Sequence, residues 1–191
     1  MLGLSMAGGY RFKEIGICGL SCRLCPAFFR TGESRCGGCK SEERMKVGCT
    51  FIRCIRDKPG LEFCGECRQS RGCEKWTKHR EASKKGDSFV CYQGLERNIA
   101  FIGKEGLAAF EKAQKGRQEL LERMLEGFNE GRSKTYYSIA ATVMEPDELK
   151  GAIDQARRSS AGLDLEERSR ALHAVLDAIA VRKKYILKLR K

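Results

Sequence analysis

The sequence predicts a mainly α fold: an irregular, cysteine-rich, metal-binding N-terminal module followed by a small helical region. Three observations predict it. Ten of the eleven cysteines crowd into residues 18–73. The second half carries apolar residues at helical spacing. No part of that half alternates strands with helices, as an α/β fold requires. Composition changes near residue 91, so the expected units are 1–91, the metal-binding module, and 92–191, the α-helical region.

The first unit has little sustained periodicity, only short pieces such as 26–30 and 74–84. Such a segment buries too little carbon to fold alone, so metal is expected to supply the missing stabilisation. In the second unit, Leu120, Leu121, Met124, Leu125 and Phe128 lie on one helical face, and Gly127 and Gly131 punctuate its end. Pro146 suits a first helical turn, and Asp147 and Glu148 suit its positive end. That helix is expected to run to about Arg158 and to bury Leu149, Ile153 and Ala156. Residues 159–162 read as a turn. Asp164 and Glu167 form a capping pair for a last helix with a stripe of Leu172, Val175, Leu176, Ile179 and Ala180. The ending YILKLRK fits either a helix end or a short strand.

No apolar run reaches the roughly 18 residues needed to span a bilayer, so no membrane association is expected. The opening MLGLSMAGGYRF lacks the basic and apolar regions of a signal peptide. A cytoplasmic, reducing location follows as the expectation, and disulfides are then a poor use for an odd number of cysteines.

The sulfur is arranged for metal. The clusters read CGLSCRLC at 18–25, CGGC at 36–39, CTFIRC at 49–54 and CGECRQSRGC at 64–73. Thiolate is a soft ligand, and four at tetrahedral corners suit zinc or iron. In a Cys-x-x-Cys pair the turn points both sulfurs the same way, and Gly37, Gly38 and Gly65 sit inside such pairs. Cys22, Cys25, Cys36 and Cys39 would complete one four-sulfur site. Cys49, Cys54, Cys64, Cys67 and Cys73 are five candidates for a second. Cys18 is spare or replaces a member of the first.

Two zinc ions are the expected cofactor, with [4Fe–4S] clusters as the alternative. The spacing of Cys18, Cys22 and Cys25 is that of radical-SAM enzymes, but those need a parallel α/β barrel. The ferredoxin run of four cysteines before a proline is absent. The formal charge is +12 with neutral thiols. Each zinc with four thiolates carries two net negative charges, so part of the basic excess would balance buried sulfur. Arg23, Arg35, Lys40, Arg53, Arg68 and Arg71 all lie near cysteines. The same excess permits weak nucleic-acid binding.

In order and spacing, CGLSCRLCPAFF, RCGGC, CTFIRC and CGECRQSRGCEKW resemble domain-of-unknown-function family 3795. Its members are small cysteine-rich bacterial and archaeal proteins regarded as zinc-binding. The resemblance covers residues 15–76 and extends to GRSKTYYSIAA at 131–141 and the terminal LKLRK. It departs at Ser70, Arg71 and Gly72, where members often carry Phe-Pro, which bears on the local turn and not on Cys73. It implies metal binding and no activity.

The remaining candidates have plainer readings. Cys91 reads as a small packing residue, His79 as a solvated surface residue and His173 as a partly buried helix residue. Trp76, Phe28 and Phe29 read as carbon packed over metal sites, with base stacking as the alternative. Tyr136 and Tyr137, beside Arg132 and Lys134, read as helix core with a solvated edge, an anionic ligand being the sharper possibility. GKEG at 103–106 lacks the length and Lys-Ser/Thr of a phosphate loop. The basic tail suits a helix C-terminus. No paired carboxylates are set out for acid–base work. The expected role is structural zinc in a binding or interaction module with a protein partner. An iron–sulfur electron-transfer protein comes second and a nucleic-acid binder third.

Overall fold

The computed structural model describes residues 9–46, 49–58 and 60–191. The opening residues 1–8, part of the segment read as having no leader, lie outside these. Among the described residues there are seven α-helices and no sheet, only an isolated antiparallel bridge between Ile15 and Ser21. The cysteine-rich half is built from three-residue 3-10 turns at Cys22–Leu24, Gly32–Ser34, Cys64–Glu66 and Ser70–Gly72, with α1 (Glu42–Met45), α2 (Thr50–Arg56) and α3 (Glu74–Lys85). The helical half contains α4 (Leu95–Phe128), α5 (Lys134–Val143), α6 (Pro146–Ser159) and α7 (Leu165–Lys183). No helix among the described residues is long and apolar enough to cross a membrane.

Local signals set these limits. Pro146 opens α6, and the Glu148 carboxylate accepts the Glu145 N–H at 3.1 Å. Asp164 Oδ1 accepts the Glu167 N–H at 2.9 Å and starts α7. Lys184, at φ 60°, turns left-handed and ends it. The terminal residues then run extended, without strand pairing, back to the end of α3. There the Asp87 N–H donates to the Arg190 carbonyl at 2.9 Å. Thus of the basic tail only Arg182 and Lys183 occupy a last helical turn; Lys188, Arg190 and Lys191 lie beyond it. Gly106, at φ 83° and ψ 168°, breaks α4 into 95–105 and 107–128.

The helical half is built around one core, which also takes in Leu24 of the cysteine-rich half. α6 and α7 pack on each other and on α4, burying Leu121, Met124, Phe128, Leu149, Ile153, Leu172 and Leu176. Arg117 of α4 reaches into it. Its Nη1 donates to the Ala141 carbonyl at 3.0 Å and the Met144 carbonyl at 2.5 Å, closing the C-terminus of α5.

A second core joins the two halves. Phe12, Ile15, Phe63 and Trp76 bury against Ile102, Leu107 and Phe110 of α4. A smaller cluster, Ile17, Ile52 and Ile55, seats α2. Each such side chain contributes about 1.5–3 kcal/mol on burial, whereas each ordered residue costs about 1–2 kcal/mol of backbone entropy. Much of the apolar surface that the loop-rich half buries is provided by α4.

Gly19 marks the seam. At φ 91° it sits where a Cβ would meet the Phe63 ring at 3.0 Å and Ile99 at 3.4 Å. Its carbonyl accepts from Asn98 Nδ2 at 3.0 Å. Arg23 adds a polar tie to α4, donating to Gln118 at 2.7 Å beside Glu14 and Glu111.

Candidate metal centre

All eleven cysteines are unbridged thiols. The ten within residues 18–73 fall into two groups. In the second, Cys54, Cys64, Cys67 and Cys73 line one cavity of about 270 Å³, walled by Phe51, Ile55 and Trp76. The elements explain the convergence. Cys54 projects from α2, Cys64 opens a 3-10 turn whose C-cap is Cys67, and Cys73 is the N-cap of α3. Lys58, in the turn after α2, donates to Cys67 Sγ at 3.1 Å and to Gln69 at 3.0 Å. Sequence reasoning missed this lysine; its position four residues after Cys54 was the available signal.

The first group surrounds Cys39. The Cys22 thiol donates toward Cys39, raising Cys22 well above the usual thiol range and lowering Cys39 to about 6. Burial opposes the second shift, and the charges of Arg44 and Lys40 favour it. Cys18 faces Cys39 and Cys49, and burial first, then those sulfurs, push it up to about 12. Cys25 faces Cys36 and Cys39. Gly38 makes room, since a Cβ there would lie 3.2 Å from Cys22 Sγ. Backbone N–H groups of Leu20, Ala27 and Gln69 point at Cys18, Cys25 and Cys67, which favours the thiolate. Gln93 does the same for Cys91, so the turn alone does not make a ligand.

Of the expected members of the first site, Cys22 is influenced by Cys39, and Cys25 by Cys36 and Cys39, with Cys18 also in range of Cys39. Cys49, counted with the second set, faces Cys18 and does not line the cavity. The groups adjoin where Cys64 faces Cys18; Cys64 rises to about 12, by burial first and then by the surrounding sulfurs. Among the described residues no three His, Cys, Asp or Glu side chains are already arranged to hold an ion. The donor set nonetheless fits a soft cation. Burial and mutual repulsion keep Cys18 and Cys64 protonated, and a shared metal ion is what lets such neighbours ionise together.

The basic residues near the sulfurs divide. Lys40 is buried, with Nζ 2.6 Å from Glu62 and 2.8 Å from the Phe12 carbonyl. Arg23 is engaged by Glu14 and Glu111, so both also answer carboxylates. Arg35 lies over the Phe28 ring, while Arg53, Arg68 and Arg71 are exposed.

Other candidates resolve by packing. His79 is not a solvated surface residue. It stands half-buried, stacked on Trp76 with Phe51 and Tyr92 edge-on, and burial lowers its pKa. Trp76 is buried, so its face is closed to a nucleobase. Tyr137 is buried, Tyr136 donates to Asp177 at 2.6 Å, and Lys134 donates to the Phe29 carbonyl at 3.1 Å. These contacts use three of the groups considered for an anionic ligand and leave Arg132 exposed. Cys91 packs at the edge of the helical core.

One polar cluster was not foreseen. Ser133 Oγ lies 2.7 Å from His173 Nε2 and 2.8 Å from Glu130 Oε2, and Ser169 donates to Glu130 at 2.7 Å. Here the carboxylate takes the serine and not the imidazole, and Ser133 is 4% exposed, so the hydroxyl is not presented to a substrate. Comparison with family models, curated proteins and solved structures finds no match for this chain.

Proposed function

We propose that the protein is a zinc-binding module in which the metal is structural and the helical half is the body on which the cysteine loops are folded. One observation carries this reading: Cys54, Cys64, Cys67 and Cys73 come from three different local elements and line a single cavity. Four sulfurs would fill the coordination sphere of a tetrahedral zinc and leave no position for a substrate, so the role is binding or interaction. The resemblance to domain-of-unknown-function family 3795 is in keeping with this. Lys58 would offset part of the negative charge of a tetrathiolate at Cys67.

The same cavity supports a second reading. At about 270 Å³ it exceeds what one ion requires, and four cysteines also suit a [4Fe–4S] cluster in an electron-transfer protein. Anaerobic purification followed by metal analysis and a visible spectrum separates the two. Colourless protein with stoichiometric zinc is the expected result. Brown protein bleached by dithionite would replace zinc with iron–sulfur, and folded protein devoid of both would end both readings.

A further inference from the structure

We propose that α6 and α7 present a homodimer face, on which a second copy of the chain packs with its α6 antiparallel to the first. This goes beyond the zinc reading and does not depend on it. The two helices border a surface groove of about 580 Å³. α6 supplies Asp147, Gly151, Gln155 and Arg158 to it, and α7 supplies Ala174 and Ala178. All six are exposed.

Charge on α6 is complementary to itself. Residues 147, 151, 155 and 158 recur at helical spacing and share one face. Asp147 and Arg158 stand at its two ends, about 16 Å apart along the axis. Among the described residues neither joins an ion pair or a side-chain hydrogen bond. An antiparallel copy of this face sets Asp147 of each chain opposite Arg158 of the other, with the two-fold axis passing between Gly151 and Gln155. The other charges on the groove are engaged within the chain. Glu148 is held by Lys183 at 3.6 Å and Tyr185 at 3.0 Å, and Arg182 lies in the last turn of α7, where cations meet the negative helix end.

α7 extends the face. The Glu148–Lys183 pair sets the two helices in register, so Ala178 lies level with the middle of α6. Ala171, Ala174, Ala178 and Val181 follow the i, i+3, i+7, i+10 spacing of a helix–helix seam, on the far side from Leu172 and Leu176 in the core. Val181 is 82% exposed, so this apolar edge has no cover within the chain. Gly151, Ala174 and Ala178 let a second backbone approach closely. A Cβ at Gly151 would meet nothing within 4 Å, so packing inside the chain does not require glycine there. The charges choose the occupant: a polyanion would meet Asp147, and an apolar surface would strand both ends. Two helices about 21 Å long, packed about 10 Å apart, offer on the order of 400 Å² per chain. That is small for a specific interface, so the dimer is weak and reversible.

The test is sedimentation equilibrium of the full-length protein. Wild type should dimerise as concentration rises, and added salt should weaken the dimer. D147R and R158D should each weaken it on the order of a hundredfold, because the two-fold axis doubles every like-charge contact. An equimolar mixture of the two variants should recover a heterodimer, in which each end again meets the opposite charge. G151L should be monomeric and folded, since its side chain blocks the approach of a second helix without a clash at Cβ; it provides the answer if a reversal fails to fold. Metal content should be the same in all variants, so the zinc reading stands or falls separately. Wild type that stays monomeric at every concentration would overturn the proposal. So would a dimer that G151L leaves unchanged, or a mixture of folded variants that stays monomeric.

Discussion

Asp87 and Arg190 clasp each other. The Asp87 carboxylate accepts the Arg190 backbone N–H at 2.7 Å and its guanidinium at 3.0 and 3.1 Å. This contact fixes the terminal tail to the end of α3. Burial alone would raise the Asp87 pKa, but the Arg190 guanidinium and the N–H groups of Arg190 and Tyr92 outweigh it, so the group sits below the ordinary carboxylate value. A carboxyl depressed in the folded state contributes stability above its unfolded pKa and loses it as pH falls through the folded value. Thermal melts of wild type should therefore lose stability below about pH 4, and D87N should flatten that part of the profile. At neutral pH D87N should cost about 1.5–3 kcal/mol, as for hydrogen bonds to a charged group. An unchanged acid limb in D87N would show that the clasp does not contribute.

Arg117 should be a stability determinant of the helical half. Burial and the nearby Arg97 charge lower its pKa, with Glu145 opposing, yet guanidinium remains cationic at any working pH. R117M keeps much of the side-chain volume but leaves the Ala141 and Met144 carbonyls without this donor. The expected loss is about 1–3 kcal/mol in urea unfolding. R117K, which can reach one carbonyl, should lose less.

Chelation should unfold the chain unevenly. On the zinc reading, removing metal from the cysteine loops withdraws the support of Phe63 and Trp76, which pack against Ile102 and Phe110. Hydrogen exchange in 95–110 should accelerate along with residues 12–76. α6 and α7, whose core lies mostly within the helical half, should keep their protection. Equal acceleration everywhere would mean that the two cores do not open separately.

Cysteine substitutions should divide by place. C64S should lose metal from the cavity and lower soluble yield. C91S should retain its full metal content and fold with a loss within about 1 kcal/mol, because Cys91 only packs at the edge of the helical core. Metal analysis of the two variants side by side is the measurement; metal loss in C91S would add an eleventh ligand.

Where a signal was local, the sequence was readable. Pro146 and Asp164 start α6 and α7 where expected, and the stripe from Leu172 to Ala180 is buried apart from a partly exposed Val175. What escaped depended on contacts distant in sequence. Cys49 and Cys54 look like one pair in CTFIRC, yet Cys49 is the N-cap of α2 and Cys54 lies within it. The helix carries Cys54 away from its cap, so Cys54 lines the cavity and Cys49 lies on the side of Cys18. The docking of the tail on Asp87 joins residues over a hundred positions apart. The break at Gly106 is invisible in the apolar pattern, which continues through it.

The wedge of Gly19 between Phe63 and Ile99 limits how the protein can be re-engineered. A cysteine segment cut out at 18–73 and grafted elsewhere would lose the Asn98 amide from its first loop and the aliphatic wall behind it. A transplantable unit would have to carry residues 95–110 with it, so the smallest portable version is defined by a helix that contains no cysteine at all.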